Sequence, residues 1–284
     1  MKIVVTGYKG FLGSRLYSFL GKKYEVFGLG RQEADITNLA SVREYFMNIK
    51  PNAVVHCAAI GDTTKCEEDK DMAYKVNVIG TRNIATCCDD FESRMIYIST
   101  DQVYDYTLKK ILTEYSEVKP LNFYGKTKML AEEDVRTILN KFHICRISWQ
   151  YDHHLKLQNE PSRGGLLNLI NSNLALGQKI KYNPNSRRYI TYVFDTIAVI
   201  ESMLLVEVPY GTYNVASENT LTDYEIKELI LTKMGIEEGE LNTILEEENG
   251  GIKYLLPEPY ALKHAGYFIP SFEDGLERCF KENK

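Results

Sequence analysis

Short apolar runs alternate with amphipathic stretches along the first 150 residues of the chain. The apolar runs predict β-strands at residues 2–6, 24–29, 53–59, 94–100 and 143–148. The stretches between them have the three-to-four-residue apolar spacing of helices, at residues 11–23, 38–50, 72–88 and 124–140. Strands that are apolar along their whole length are typical of parallel sheets covered on both faces. The pattern therefore predicts an α/β protein with a Rossmann-type, doubly wound parallel sheet.

The pattern loosens in the second half of the chain. A helix is predicted at residues 166–176, and a strand that runs into a helix at residues 188–205. We expect an NAD(P)-binding Rossmann domain at residues 1–150 and a smaller C-terminal substrate lobe at residues 151–284. Some segments of the lobe are expected to return to the sheet, and the ligand cleft to lie between the two parts.

The composition of the chain excludes several classes of binding partner and of protein. The chain has 284 residues and a formal net charge of −5, which argues against nucleic acid and anionic membranes as partners. No apolar run approaches the roughly 18 residues of a membrane span, and no signal-peptide pattern precedes the first strand. The six cysteines lack CxxC spacing, so we interpret them as reduced thiols of a cytoplasmic protein and expect no metal site.

The segment TGYKGFLGS, residues 6–14, places three glycines between the first strand and the first helix. This is the context of a dinucleotide loop, in which glycines permit a tight turn and close approach of the backbone to a pyrophosphate. The following helix N-terminus supplies free N–H groups. Glycines here could instead serve helix–strand packing alone. The cofactor-binding residues predicted in this loop are Gly7, Gly10, Phe11, Leu12 and Gly13.

The end of the second strand bears on the choice between NAD and NADP. Its tip, GLGRQ, carries Arg31 where an NAD-preferring site has a carboxylate, which favours NADP(H) and leaves NAD(H) possible. The direction of Glu33, two residues further on, does not follow from the sequence. Asp35 and Ile36 could lie beside the adenine; alternatively, Asp35 or Thr37 caps the next helix.

The segment YGKTK places Tyr124 and Lys128 four residues apart, on one face of a predicted helix. An ammonium group near a phenol would lower the phenol pKa toward neutrality, so that the phenol could exchange a proton with a substrate oxygen. The segment STD, residues 99–101, ends the fourth predicted strand at the sheet edge where such folds bind ligands.

In order along the chain, TGxxGxxG, DIT, HCAA, VNVIGT, STDQVY and YGKTK resemble the extended short-chain dehydrogenase/reductase superfamily. Within it, KCEEDKDMAYKVNVIGTRN, ISTDQVYD and RISWQY are most similar to the dTDP-4-dehydrorhamnose reductase branch. The likeness is good over residues 1–149 and loose beyond them.

The resemblance implies a Ser/Thr-Tyr-Lys mechanism. Tyr124 would protonate the substrate ketone oxygen as a hydride arrives from NADPH, and Thr100 would hydrogen-bond the same oxygen. Lys128 would bind the nicotinamide ribose and tune Tyr124. Asn77 would be a structural or proton-relay residue.

The resemblance also implies residues around the reacting groups. Ala58 and Ala59 would line the cofactor, and Trp149 would stack on the substrate side. The segment RRYITYVFD is more like the epimerase pattern RDxxYVxD than the reductase pattern. In it, Arg188 could pair with a substrate diphosphate, or be an exposed loop arginine.

Two residues depart from the reductase pattern. Gln102 stands where the branch usually has an aromatic residue, and Thr63 where it has a small apolar one. Both are expected, with Asp101, to face the sugar, so the substrate could differ from dTDP-4-dehydrorhamnose. Gln102 also argues against a dehydratase, because an amide cannot replace the Glu base.

The resulting hypothesis is an NADPH-dependent reductase of a nucleotide-linked 4-keto-6-deoxy sugar, with a homodimer possible. Two alternatives stay open. One is an NAD(P)-dependent sugar-nucleotide epimerase of the same superfamily. The other is a non-catalytic NADP-binding subunit, similar to the regulatory subunit of methionine adenosyltransferase.

Overall fold

The computed structural model describes residues 1–153 and 165–281. The strands in these ranges are β1 (Lys2–Thr6), β2 (Glu25–Leu29), β3 (Ala53–His56), β4 (Arg94–Thr100), β5 (Phe142–Ile147), β6 (Trp149–Tyr151), β7 (Ile180–Tyr182), β8 (Ser186–Arg188), β9 (Ile190–Tyr192), β10 (Gly211–Val215), β11 (Leu245–Glu247) and β12 (Lys253–Leu255). The helices are α1 (Phe11–Leu20), α2 (Leu39–Ile49), α3 (Thr63–Glu68), α4 (Lys70–Tyr74), α5 (Gly80–Asp90), α6 (Phe123–Ile138), α7 (Leu166–Ala175), α8 (Val193–Leu204), α9 (Asp223–Lys233), α10 (Glu238–Ile244), α11 (Tyr260–His264) and α12 (Phe272–Lys281).

A six-stranded parallel sheet forms the centre of the molecule, as the sequence predicts. Its order is β10-β5-β4-β3-β1-β2. Strand β1 pairs with β2 on one side and with β3 on the other, so the order reverses direction there. In open α/β sheets, ligands bind at the carboxyl ends of the strands flanking such a switch point. The ends of β1 and β3 therefore mark the expected binding crevice.

Apolar layers cover both faces of the sheet. On β1, Ile3 and Val5 belong to a buried cluster that includes Leu16 of α1. Val4, between them, belongs to the opposite cluster with Phe46 of α2. Successive side chains of a strand point to opposite faces, so a strand covered on both sides must be apolar at every position. This explains the unbroken apolar runs in the sequence.

The helix predicted at residues 72–88 is interrupted. Helices α4 and α5 are joined by a π-helical turn at Lys75–Ile79. The wider turn directs Asn77 at the loop after β3, where its Oδ1 accepts from the Ile60 N–H at 2.7 Å and its Nδ2 donates to the Ile60 carbonyl at 3.1 Å. Periodicity does not reveal this feature because a single wide turn barely changes the apolar spacing.

The C-terminal half contributes strand β10 to the main sheet, although the apolar pattern predicts no strand at residues 211–215. This strand pairs in parallel with β5, from Gly211 opposite His143 to Val215 opposite Ile147. Three short parallel pairs, β6–β9, β7–β11 and β8–β12, lie outside the main sheet. The predicted domain division at residue 150 stays a prediction.

The cysteines are unpaired, as predicted. All six are free, and five of them are buried, whereas Cys57 is half-buried. Within residues 1–153 and 165–281, no helix combines the length and apolar character that crossing a bilayer requires.

Candidate active site

The carboxyl ends of the sheet strands open into a cleft of about 1290 Å³. Fifteen of the eighteen residues predicted for the site line it: Gly7, Gly10, Phe11, Leu12, Gly13, Arg31, Ala59, Thr63, Thr100, Asp101, Gln102, Tyr124, Lys128, Trp149 and Arg188. The other three are Asp35, Ile36 and Ala58, which lie outside the lining. Segments far apart in sequence therefore meet in one concave surface.

The glycine loop, residues 7–13, approaches the end of β3 very closely. Gly7 has a φ of +62°, and a Cβ on it would lie 2.9 Å from the Ala58 backbone. A Cβ on Gly13 would lie 2.3 Å from the Gly7 carbonyl oxygen. The first N–H groups of a helix have no intrahelical acceptor, and in α1 no side chain of the described residues caps them at Gly10. The loop thus has the backbone approach and the free donors that a pyrophosphate requires.

The structure shows the direction of the Glu33 side chain, which does not follow from the sequence. Its Oε2 accepts from the Gly30 N–H at 2.8 Å, and its Oε1 accepts from the Tyr8 hydroxyl at 2.9 Å. The Glu33 carboxylate is therefore hydrogen-bonded to protein groups at the tip of β2. Arg31 is exposed at the cleft and donates to no acceptor within residues 1–153 and 165–281. This geometry leaves a guanidinium free for a 2′-phosphate.

Asp35 forms a local turn rather than a helix cap. Its Oδ1 accepts from the N–H and the hydroxyl of Thr37, both at 2.9 Å, and these hydrogen bonds lower the Asp35 pKa. The cap of α2 is Asn38, whose Oδ1 accepts from Ala40 and Ser41. The alternative that Asp35 or Thr37 caps this helix is wrong.

Helix α6 carries Tyr124 to the end of β4. A Cβ on Gly125 would lie 2.2 Å from the Gln102 carbonyl oxygen, so only glycine lets the helix come this close. Asn122 caps the helix by accepting from the Gly125 N–H at 2.7 Å. The Thr100 side chain lies near the Tyr124 phenol, and the Thr100 hydroxyl donates to Asp101 Oδ1 at 3.2 Å. The predicted pairing of strand end and helix face is present.

The predicted effect of Lys128 on Tyr124 is wrong for the protein alone. Burial raises the pKa of Tyr124 well above its ordinary value, and the Thr100 side chain offsets this only in part. The Lys128 Nζ donates to the Ile98 carbonyl at 2.5 Å and lies 4.2 Å from the Tyr97 ring centroid. Burial lowers the pKa of Lys128 to about 7. A sheet carbonyl and an aromatic face, rather than the phenol, therefore hold the ammonium group.

Arg188 is a half-buried arginine of β8, so the exposed-loop alternative is wrong. Its side chain is 12% exposed, lies over the Trp149 ring at 5.1 Å and approaches Asp101 Oδ2 to 3.5 Å. Its Nε is buried and has no partner within the described part of the chain. Burial raises the pKa of Asp101, and the nearby Arg188 charge offsets part of that rise. An unpaired buried donor in a cleft indicates a ligand acceptor.

A second cavity of about 620 Å³ adjoins the cleft. Trp149, Arg188 and Lys253 line both spaces. Sequence reasoning missed Lys253, which lies near Arg188 because β12 pairs with β8. Burial and the Arg188 charge lower the Lys253 pKa. No local sequence signal identifies this lysine, because the strand pairing alone brings it to the site.

The two residues that depart from the reductase pattern both line the cleft. The Gln102 Oε1 accepts from Asn122 Nδ2 at 2.8 Å, so its amide is tied to the start of α6. Thr63 is the first residue of α3, after the capping residue Asp62. Within the ranges that the structure describes, no group of three or more His, Cys, Asp or Glu side chains could hold a metal ion.

Comparisons with known proteins agree with this geometry. Residues 1–251 match the family described as the RmlD substrate binding domain. The spore coat polysaccharide biosynthesis protein SpsK of Bacillus subtilis (strain 168) is 30% identical over 250 residues, 87% of this chain and 84% of that protein. Methionine adenosyltransferase 2 subunit beta of Xenopus laevis is 25% identical over 261 residues, 88% of this chain and 77% of that protein.

A solved structure extends the likeness to three dimensions. It is dTDP-4-dehydrorhamnose reductase (rfbD) from Bacillus anthracis str. Ames in complex with NADP, with a TM-score of 0.87 and 27% identity over 99% of both chains. These findings confirm the predicted resemblance, the Rossmann-type fold and the NAD(P)-dependent oxidoreductase class. With residues 1–251 of 284 matched, the chain belongs to the RmlD substrate-binding domain family.

Proposed function

We propose that this chain is an NADPH-dependent reductase of a nucleotide-linked 4-keto-6-deoxy sugar. The observation that carries the proposal is the meeting of Thr100, Tyr124 and Lys128 with the glycine loop in one cleft. A proton donor and a dinucleotide cradle on the same surface are what a ketone reduction requires. The NADP bound to the related solved reductase supports the same cofactor here.

The residues present fit a dinucleotide. Gly7 and Gly13 let the loop backbone pack directly against the Ala58 backbone and the start of α1, and that helix start offers free N–H groups to a pyrophosphate. Arg31 would hold the 2′-phosphate, and Lys128 the nicotinamide ribose. When bound, NADPH supplies a hydride to C4 of the sugar.

Tyr124 would serve as the proton donor. Because burial raises its pKa, the phenol keeps its proton at neutral pH, which is the form that donates. Thr100 lies beside the phenol, and its hydroxyl would turn from Asp101 Oδ1, 3.2 Å away, to donate to the same ketone oxygen. As negative charge develops on that oxygen, the phenol proton moves to it, and the Lys128 ammonium, one helical turn further along α6, would stabilise the resulting phenolate by its charge without contacting it.

The junction of the two cavities suits a nucleotide diphosphate. Arg188 and Lys253 bring two positive charges to it, and the Arg188 Nε has no partner among residues 1–153 and 165–281. Charge-assisted hydrogen bonds from these groups would neutralise a diphosphate. Trp149, which lines both spaces, would then contact the sugar. A nucleotide-linked sugar would extend from the catalytic cleft into the second cavity.

Isotope transfer tests the reductase against the epimerase. With NADPH deuterated at the transferred position, we expect one deuterium at C4 of the product and one NADPH consumed per sugar. An epimerase that recycles its cofactor would give neither result.

The similarity to methionine adenosyltransferase 2 subunit beta favours a second candidate, a cofactor-stabilised binding subunit. Such a protein would bind NADPH without consuming it when nucleotide-linked keto sugars are supplied. The intact Thr100, Tyr124 and Lys128 set favours the enzyme.

A further inference from the structure

A third polar residue lies on the catalytic face of α6. Tyr124, Lys128 and Glu132 are spaced four residues apart, so they lie along one side of the helix. Glu132 is 1% exposed and does not line the cleft. A buried carboxylate beside the catalytic residues requires a physical explanation, because burying a charge is costly unless it is paired.

Glu132 is bound by both neighbouring strands. The Ser99 hydroxyl, at the end of β4, donates to its Oε1 at 2.6 Å. Arg146 of β5 donates through Nε to Oε1 at 3.0 Å and through Nη2 to Oε2 at 2.7 Å. Arg136, one turn further along α6, donates to Oε2 at 2.7 Å. These contacts fix the middle of α6 against the strand that ends in Thr100.

The network continues away from the cleft. The Arg146 Nη1 donates to the Tyr104 hydroxyl at 2.8 Å, and that hydroxyl donates to Asn214 Oδ1 at 2.8 Å. Asn214 belongs to β10, so buried polar contacts link α6, β4, β5 and β10. Arg146 also keeps Glu132 ionised, because its charge and hydrogen bonds lower the carboxyl pKa.

The charge on Glu132 acts on Lys128. Burial lowers the Lys128 pKa to about 7, and Glu132 is the largest influence that raises it. From β3, His56 is neutral at physiological pH because burial and the Lys128 charge lower its pKa to about 3. The remaining groups that face Lys128 are the Ile98 carbonyl and Tyr97 ring of β4, Tyr124 of α6, Cys57 after β3 and Cys66 of α3.

We propose that Glu132 is a positioning residue for the reaction: it fixes the face of α6 that carries Tyr124 and Lys128 against β4 and β5. The inference rests on the proposed function, because it assumes that Tyr124 and Lys128 act in catalysis. Glu132 itself touches neither the cleft nor a ligand there, so it would act only through these neighbours.

The test replaces Glu132 by glutamine, which keeps the shape and removes the charge. In the cofactor-free protein labelled with ¹³Cε-lysine, we expect the NMR titration of Lys128 to move to lower pH by roughly one unit. The alkaline limb of the pH profile of kcat/KM should move by the same amount. Activity should then fall about tenfold above the limb and stay near wild type below it.

Two further variants make the test decisive. Glu133→Gln removes the same charge from the exposed side of α6, and should leave both titrations unchanged. Because Glu132→Gln leaves Arg146 without its carboxylate, the paired variant Glu132→Gln with Arg146→Met removes both charges and is measured alongside it. If the single variant does not fold, the paired one is measured in its place, and its Lys128 titration should move in the same direction by a smaller amount because the Arg146 charge is removed as well.

Unchanged Lys128 titration in folded Glu132 variants would overturn the inference. That failure is distinct from failure of the proposed function, in which Tyr124→Phe would leave NADPH oxidation intact.

Discussion

At the scale of single residues, the burial of Lys128 lowers the stability of the fold, whereas the proposed reaction requires its ammonium group. It is buried beside Tyr97 and the Ile98 carbonyl, and burial lowers its pKa from 10.5 to about 7. Between these values the unfolded chain binds a proton that the folded chain does not bind, so stability rises with pH over this window. The folded protein therefore bears the cost of a buried ammonium group at neutral pH.

Replacing Lys128 by methionine should stabilise the cofactor-free protein and abolish reduction. We expect the free energy of unfolding at neutral pH to rise by about 1–4 kcal/mol, the range for replacing buried charges by apolar groups. The gain should shrink as the pH is raised toward 10.5, because the wild type then loses the charge. Urea denaturation at several pH values measures the difference in the free energy of unfolding between the variant and the wild type. A gain independent of pH would contradict the burial argument.

Fifteen of the eighteen residues predicted for the site line the cleft, because most of them lie in contiguous motifs at strand ends. The sequence could not identify Lys253, which reaches Arg188 only through the pairing of β12 with β8. It also predicted the wrong direction for the Tyr124 pKa, because the burial of the phenol depends on the whole fold. Helical spacing places Lys128 beside Tyr124, but not the Ile98 carbonyl that binds its ammonium group.

At the scale of elements, the glycine loop depends on contacts between backbones. A Cβ on Gly13 would lie 2.3 Å from the Gly7 carbonyl oxygen, so Gly13→Ala forces the start of α1 away from the turn at Gly7. We expect a loss of about 1–3 kcal/mol of stability and at least tenfold weaker NADPH binding. Thermal unfolding and fluorescence titration measure the two effects.

Gly61 offers the matched control for this loop. It also lines the cleft, but a Cβ there would meet nothing within 4 Å. Gly61→Ala should therefore leave stability nearly unchanged. Equal effects of the two substitutions would contradict the close-approach argument.

Element boundaries followed from the sequence where the apolar pattern was strong. Strands β1 and β4 have the predicted bounds, Lys2–Thr6 and Arg94–Thr100. The π-helical turn at Lys75–Ile79 and the strand β10 were missed. The turn changes the helical spacing by too little, and β10 is a short strand defined by its partner β5, which lies far away in sequence.

At the scale of the whole molecule, two buried histidines predict sensitivity to acid. Burial lowers the pKa of His56 to about 3 and lowers that of His143 as well. His56 joins β1 to α5, through Thr6 at 2.7 Å and Thr81 at 3.0 Å. Below pH 6.5 the unfolded chain takes up protons that the folded chain excludes, so stability falls as the pH falls.

Each buried histidine should contribute a slope of up to about 1.4 kcal/mol per pH unit below its ordinary pKa. His56→Gln should remove the contribution of His56 to the slope of the unfolding free energy against pH. The substitution also disturbs Thr6 and Thr81, but a loss of stability at neutral pH does not change this slope. Urea midpoints across the acid range measure it, with the exposed His264→Gln as control. Parallel slopes for wild type and His56→Gln would show that His56 is not responsible.

The most direct measurement is steady-state reduction of a dTDP-linked 4-keto-6-deoxy sugar by wild type and by Tyr124→Phe, followed through NADPH absorbance. We predict one NADPH consumed per sugar by the wild type and a loss of roughly 10²–10⁴-fold in kcat/KM for the variant. NADPH binding by the variant should be unchanged. Equal turnover by the two proteins, or NADPH binding without consumption by the wild type, would contradict the assignment of this chain as a reductase.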